Sequence, residues 1–307
     1  MAGSRALVPV LVGPTAVGKT AVALALRQHW NLVVISADSR QVYRGLDIGT
    51  AKPSAEERTQ VPHRGIDVVE PGHRYSAGQF ARDAAEWLRE VGDTQQPVVV
   101  GGTGFYVRAL ADGLFREPPI DRERRDRFRS WAKHASGLGQ WAVRLDAGYR
   151  GGGRQRAERA VEIALLTGRS LSWWQATTRA RGIMRPWYIR LTVPRVVLRR
   201  RIERRAREML EHGLVREVRD ILDRGVAPDA PGLDAVGYRE VTRHLLGGMA
   251  ADELLTAIVV ATRRYAKRQE TWFRHQLVGH PVLTLDATDE ATLLADRIAE
   301  LWEERGN

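Results

Sequence analysis

Gly13-Pro14-Thr15-Ala16-Val17-Gly18-Lys19-Thr20 follows the pattern G-x-x-x-x-G-K-[ST], a spacing whose chemistry is the cradling of a phosphate chain. Glycines let backbone N–H groups turn inward, and a helix N-terminus adds partial positive charge. Lys19 would reach the terminal phosphates, and the Thr20 hydroxyl suits Mg2+. The motif predicts a bound diphosphate or triphosphate without saying which molecule carries it. Enzymes that hydrolyse or transfer nucleotide phosphates add a second, metal-binding acid at the end of a buried strand. Here the apolar run 97–100 ends in Gly101-Gly102-Thr103-Gly104, with no acid. An acid stands instead in Ser36-Ala37-Asp38-Ser39, just past another apolar run. By position alone Asp38 is either a site residue or a loop residue that caps a turn. Arg201 and Arg205, four apart on one face of a predicted helix, could clamp a diphosphate or form a solvated basic face.

These residues need elements to hold them. Residues 6–12 read as a buried strand, 13–20 as a loop and 19–28 as a helix; 31–36 form a second strand. Ser76 can cap a helix running to about residue 91, and Pro97 opens a third strand. Strand–helix–strand alternation of this kind implies a parallel sheet with crossover helices. Near Pro118-Pro119 the pattern changes to helical, Arg-rich sequence with a glycine cluster at 151–153, and the sheet resumes at 187–193. Helices are expected at 195–212, 214–224, 235–246 and 252–277, then a strand PVLTLD and a C-terminal helix. The fold class is therefore α/β: a P-loop NTPase-like parallel sheet core, residues 1–118 and 186–307, with a helical, basic insertion at 119–185.

The charge is uneven. The net charge is +11, and residues 119–185 carry fifteen Lys/Arg against six Asp/Glu. That stretch reads as a phosphate-backbone contact surface or as a solvated basic face. Only four lysines occur, Lys19, Lys52, Lys133 and Lys267, so a retained lysine can mark a place that needs a compact ammonium rather than a planar guanidinium. Cysteine is absent, which excludes disulfides, thiolate metal sites and thiol catalysis. No apolar run reaches the roughly 18 residues of a membrane helix, and the N-terminal apolar stretch is too short for a signal peptide. No membrane partner, a cytoplasmic location and a monomer are the expectations.

Four long motifs occur in order: GPTAVGKT, then ISADSRQVYRGLDIGTAKP at 35–53, GGTGFYVRAL at 101–110 and TRRYAKRQETWFR at 262–274. The set closely resembles the tRNA isopentenyltransferase family, whose bacterial members are tRNA dimethylallyltransferases. Further matches are Tyr75-Ser76, Gln155-Arg156 with Arg159, Thr167-Gly168 and Val236-Gly237-Tyr238-Arg239-Glu240. The resemblance implies transfer of a dimethylallyl group from its diphosphate to the exocyclic amine of the adenosine 3′ of the anticodon in tRNA. Residues 13–20 would then hold dimethylallyl diphosphate with Mg2+, helped by Arg201 and Arg205, which resemble family arginines. Asp38 would be the general base, and Thr103 and Lys19 would stand at the reacting centre. Asp38, Ser39, Arg40, Gln41, Thr103 and Arg125 would meet tRNA, as would Gln155, Arg156, Ala157, Glu158 and Arg159 at the anticodon stem-loop. Where family members carry an Asn-Asp pair before the Gln-Arg, this chain has Gly151-Gly152-Gly153-Arg154. Trp173 and Trp174 are candidates for base stacking, with burial in the core the favoured expectation. His63 and Tyr43 lie in motif surroundings without a separate chemical role.

Two other readings fit parts of the pattern. A P-loop nucleotide or metabolite kinase would turn over ATP and need no tRNA, and the missing second acid and the basic insertion oppose it. A non-catalytic, RNA-binding nucleotide switch leaves Asp38 and the GGTG turn unexplained.

Overall fold

The computed structural model describes residues 5–306 apart from Asp93, Glu117, Arg179 and Val278. Six strands form one sheet: β1 (Leu7–Val12), β2 (Leu32–Ser36), β3 (His63–Arg64), β4 (Gln96–Gly101), β5 (Arg185–Thr192) and β6 (Val282–Asp286). Their order is β3-β2-β4-β1-β5-β6, and every pairing is parallel. A parallel sheet covered on both faces requires unbroken apolar strands. The central strands meet that demand with LVPVLV and LVVIS, whereas edge strand β6 alternates between exposed and half-buried residues.

The helices are α1 (Lys19–Ala25), α2 (Ala55–Gln60), α3 (Ala77–Val91), α4 (Gly104–Ala111), α5 (Arg122–His134), α6 (Leu138–Leu145) and α7 (Arg154–Thr167). They continue with α8 (Leu171–Thr177), α9 (Arg195–Glu211), α10 (Leu214–Asp223), α11 (Tyr238–Leu245), α12 (Ala251–Gln276) and α13 (Ala291–Gly306). The helix expected over 19–28 ends at Ala25 and tightens into a 3-10 turn, Leu26–Gln28. Helix α11 starts at Tyr238, three residues later than the pattern predicts, because Gly237, at φ 93°, turns the chain first. Helix α3 starts where Ser76 predicts: its hydroxyl accepts the Gln79 N–H and the Gln79 side chain returns to the Ser76 N–H, a capping box.

The chain divides into two compact units, one of residues up to Ala111 with Ile183 onward, the other Asp112–Gly182. The first is built on the sheet. Its core includes Leu11, Val22, Leu26, Val34, Val98, Ile189 and Ile298, with Trp187 stacked on Trp302 at 5.5 Å. The second contains α5–α8, and no named strand lies among its described residues. Phe128, Ala132, Leu138, Ala142, Ala157, Ala160 and Val161 pack at its centre. Among the described residues, no helix is long and apolar enough to cross a membrane.

Because β2, β4 and β1 are adjacent and parallel, the loops that leave their carboxyl ends emerge side by side, where open α/β sheets bind ligands. Those loops contain Asp38 and Thr103, and Lys19 opens α1 where the loop after β1 ends.

Candidate active site

The phosphate loop runs from β1 into α1. Gly13, at φ 153°, sits where an added Cβ would come 2.8 Å from the Leu191 carbonyl oxygen, so the loop leaves the strand only with glycine there. Ala16 is left-handed, at φ 64°, and helps curl the N–H groups into a nest. The Lys19 ammonium folds back and donates to the carbonyls of Gly13 at 2.9 Å and Pro14 at 2.8 Å. Burial pushes its pKa down to about 8; the Asp38 carboxylate opposes the shift and Arg205 adds to it.

Asp38 follows β2, and its Oδ1 accepts the Arg40 N–H at 2.8 Å. This is a local turn that leaves the other carboxylate oxygen for a ligand. Ser39 donates its N–H to the Thr103 hydroxyl at 3.0 Å. The Arg40 guanidinium donates to the Pro231 carbonyl at 2.9 Å, and Gln41 accepts the Ser36 hydroxyl while donating to the Ala51 carbonyl at 3.2 Å. Thr15 through Thr20, Asp38, Arg40, Gln41, Arg201 and Arg205 line one cavity of about 660 Å³. Arg201 braces the loop by donating to the Val17 carbonyl at 2.9 Å and to Ala287 at 2.8 Å. Arg205 reaches toward the Thr50 carbonyl, and burial lowers its pKa against the pull of Asp38 and Glu208.

Two residues of the 262–274 motif to which no role attaches in sequence line this cavity, Tyr265 and Gln269, and others brace the segments around it. Tyr265 on α12 hydrogen-bonds the Thr103 side chain, and burial, helped by Asp38, pushes its phenol up to about 12. Gln269 on the same helix accepts the Thr15 N–H at 2.8 Å and donates to the Gly102 carbonyl at 2.9 Å. Glu217 and Tyr238 hold the DIGT segment: Glu217 accepts the N–H groups of Asp47 and Ile48, and the Tyr238 hydroxyl accepts that of Gly49. Lys52 is fully buried, and its ammonium donates to the Tyr43 carbonyl, Asp47 and Asp67. Three oxygens around one compact cation explain why lysine stands there. His63, on edge strand β3, is tied to the Val61 carbonyl at 2.7 Å.

In the helical unit, buried Glu162 gathers Arg125 at 3.3 Å, Arg129 at 4.0 Å and Arg159 at 2.5 Å. Arg125 and Arg159 therefore hold the unit together whatever else they do. Gln155 and Arg156 are exposed at the start of α7, Glu158 is half-buried, and the Ala157 methyl is packed inside. Gly151 and Gly152, at φ 80° and 137°, make the turn into that helix. The tryptophans differ from the expectation of a buried pair. Trp173 is 40% exposed beneath Arg169, and half-buried Trp174 donates its ring N–H to Thr167 at 2.9 Å. Successive residues on a helix point about 100° apart, so two adjacent tryptophans cannot share one inward face.

Residues 41–276 match the family model described as IPP transferase, and residues 6–66 match that of isopentenyl transferase. A tRNA dimethylallyltransferase 1 of Syntrophotalea carbinolica is 42% identical over 277 residues, 88% of each chain. The crystal structure of a full-length tRNA isopentenylpyrophosphate transferase from Bacillus halodurans superposes with a TM-score of 0.70 at 33% identity, over 99% of this chain and 98% of that one. A eukaryotic dimethylallyltransferase, caught acting on tRNA, shares the fold with a TM-score of 0.82 at 24% identity, over 98% of this chain and 80% of that one.

Proposed function

The chain belongs to the IPP transferase family, and on that premise we propose that it moves a dimethylallyl group from dimethylallyl diphosphate to the exocyclic amine of the adenosine 3′ of the anticodon in tRNA. The observation that carries this reading is that Lys19 and Asp38 line one cavity. A cradle for the leaving group and a base for the nucleophile thus face the same space.

The adenine amine is a poor nucleophile because its lone pair is delocalised into the ring. As its nitrogen bonds to the first carbon of the prenyl chain, the carbon–oxygen bond to diphosphate breaks and the nitrogen's proton passes to Asp38. A positioned carboxylate serves as the general base. The departing charge falls on the inward N–H groups of the phosphate loop and on Lys19, which exchanges the Gly13 and Pro14 carbonyls for phosphate oxygens. Arg201 and Arg205 add positive charge from α9. Among the described residues no cluster of three His, Asp or Glu side chains could hold a metal. Thr20, which lines the cavity, would nevertheless offer Mg2+ a hard oxygen beside those of the diphosphate, and that ion needs few protein ligands. When bound, the ion neutralises charge on the leaving diphosphate.

Asp38, Ser39, Arg40, Gln41 and Thr103 meet the target nucleotide, which must leave its stack to be reached. Gln155 and Arg156 meet the anticodon stem-loop through the basic unit. A kinase would require ATP turnover without RNA. Incubation with labelled dimethylallyl diphosphate, magnesium and tRNA is expected to move label onto the RNA with no requirement for ATP. ATP hydrolysis without label transfer would contradict the proposal.

A further inference from the structure

One buried carboxamide joins two of the loops. Gln269 on α12 is 6% exposed. Its Oε1 accepts the Thr15 N–H at 2.8 Å, and its Nε2 donates to the Gly102 carbonyl at 2.9 Å. An amide N–H only donates and a carbonyl only accepts, so the carboxamide has a single allowed orientation, and both of its ends are used. A Cβ at Gly102 would run into Nε2, so the turn is bare where the carboxamide passes. From Gly102 the connection continues through Thr103, whose hydroxyl accepts the Ser39 N–H at 3.0 Å, one residue from Asp38. A single run of bonds thus leads from the phosphate loop to the loop that carries the base.

Resting on the function proposed above, we propose that Gln269 is a positioning residue for the transfer. It fixes the spacing between the loop that receives the diphosphate and the turn that carries Thr103, and it acts through Thr15 and Gly102. A side chain lacking either the donor or the acceptor frees one of the two loops. Misplacing reacting groups by about 1 Å can cost 10²-fold in rate, so the effect falls on the joint transition state rather than on binding of either substrate alone.

Gln269→Met keeps the length and loses both bonds; Gln269→Glu keeps the acceptor and loses the donor. The measurements are single-turnover transfer with both substrates saturating, the Kd for dimethylallyl diphosphate alone, and the melting temperature. The Met variant is expected to lose about 10²-fold in rate with its Kd changed only a few-fold, and the Glu variant to lose rate at saturation as well. Combining Gln269→Met with Thr103→Ala is expected to cost less than the product of the single losses, because both act through one turn. A wild-type rate in either variant overturns the proposal. So does a loss that disappears well below the variant's melting temperature, or strict multiplicativity with Thr103→Ala. A wild-type protein that transfers nothing would contradict the function itself, whereas an active wild type with equally active variants contradicts only the role of Gln269.

Discussion

The Thr103 hydroxyl accepts the backbone N–H of Ser39 at 3.0 Å, which fastens the turn after β4 to the loop bearing Asp38. The same hydroxyl donates to the Ser39 Oγ, 3.2 Å away, and under the proposed function its proton is the one offered to a leaving oxygen. A bond of that kind strengthens as charge develops. Thr103→Ser is expected to keep most activity, and Thr103→Ala to lose roughly 10²–10³ in the single-turnover rate, as in deletions of oxyanion donors. An unchanged chemical rate with a lowered melting temperature would make the threonine a fastener only.

Asp38→Asn preserves the oxygen that accepts the Arg40 N–H and removes the proposed base. Turnover is expected to fall by about 10²–10⁴ while tRNA binding, read by filter retention, stays close to wild type. Near-normal turnover would assign Asp38 to the turn alone.

Lys19 has its pKa lowered to about 8, below the unfolded value. The unfolded chain therefore binds more protons between the two values, and this group's contribution to stability rises with pH from about 8 upward. Diphosphate binding favours the charged ammonium, so binding above about pH 8 should take up a proton, and affinity should weaken as pH rises through that value. Calorimetry in buffers of different ionisation enthalpy reads the uptake directly. No uptake near pH 8.5, or an affinity flat across that region, would place the Lys19 titration elsewhere.

The arginines of the helical unit should separate into two kinds. Exposed Arg156 is expected to act on RNA alone: Arg156→Gln should weaken tRNA binding and lower the salt slope by about one, with an unchanged melting temperature. Arg125→Gln removes an ion-pair partner of buried Glu162 and should cost about 1–3 kcal/mol, the range for leaving a buried polar group less satisfied. Equal melting temperatures for the two variants would refute the division.

The phosphate loop, Asp38 and the GGTG turn could be read in sequence because each is a contiguous motif at the end of an apolar run. The central strands could be read because burial on both faces demands unbroken runs such as LVVIS. Strand β3, two residues long, carries no period to read. The pairing of Arg125 with Glu162 joins α5 to α7, Arg159 meets the same carboxylate from within α7, and composition shows only their summed charge. Gln269 stands 167 residues from its partner Gly102, so its role follows from where α12 lies and not from neighbouring letters.

Whether Lys19 and Asp38 serve one transfer reaction is decided by mass spectrometry of nuclease-digested tRNA after incubation with the protein, magnesium and dimethylallyl diphosphate. The predicted result is a fragment spanning the anticodon loop, heavier by one five-carbon prenyl unit on the adenosine 3′ of the anticodon, and absent with Asp38→Asn. An unmodified adenosine at that position in every tRNA offered, with the wild-type protein folded and binding the diphosphate, would rule the transfer out.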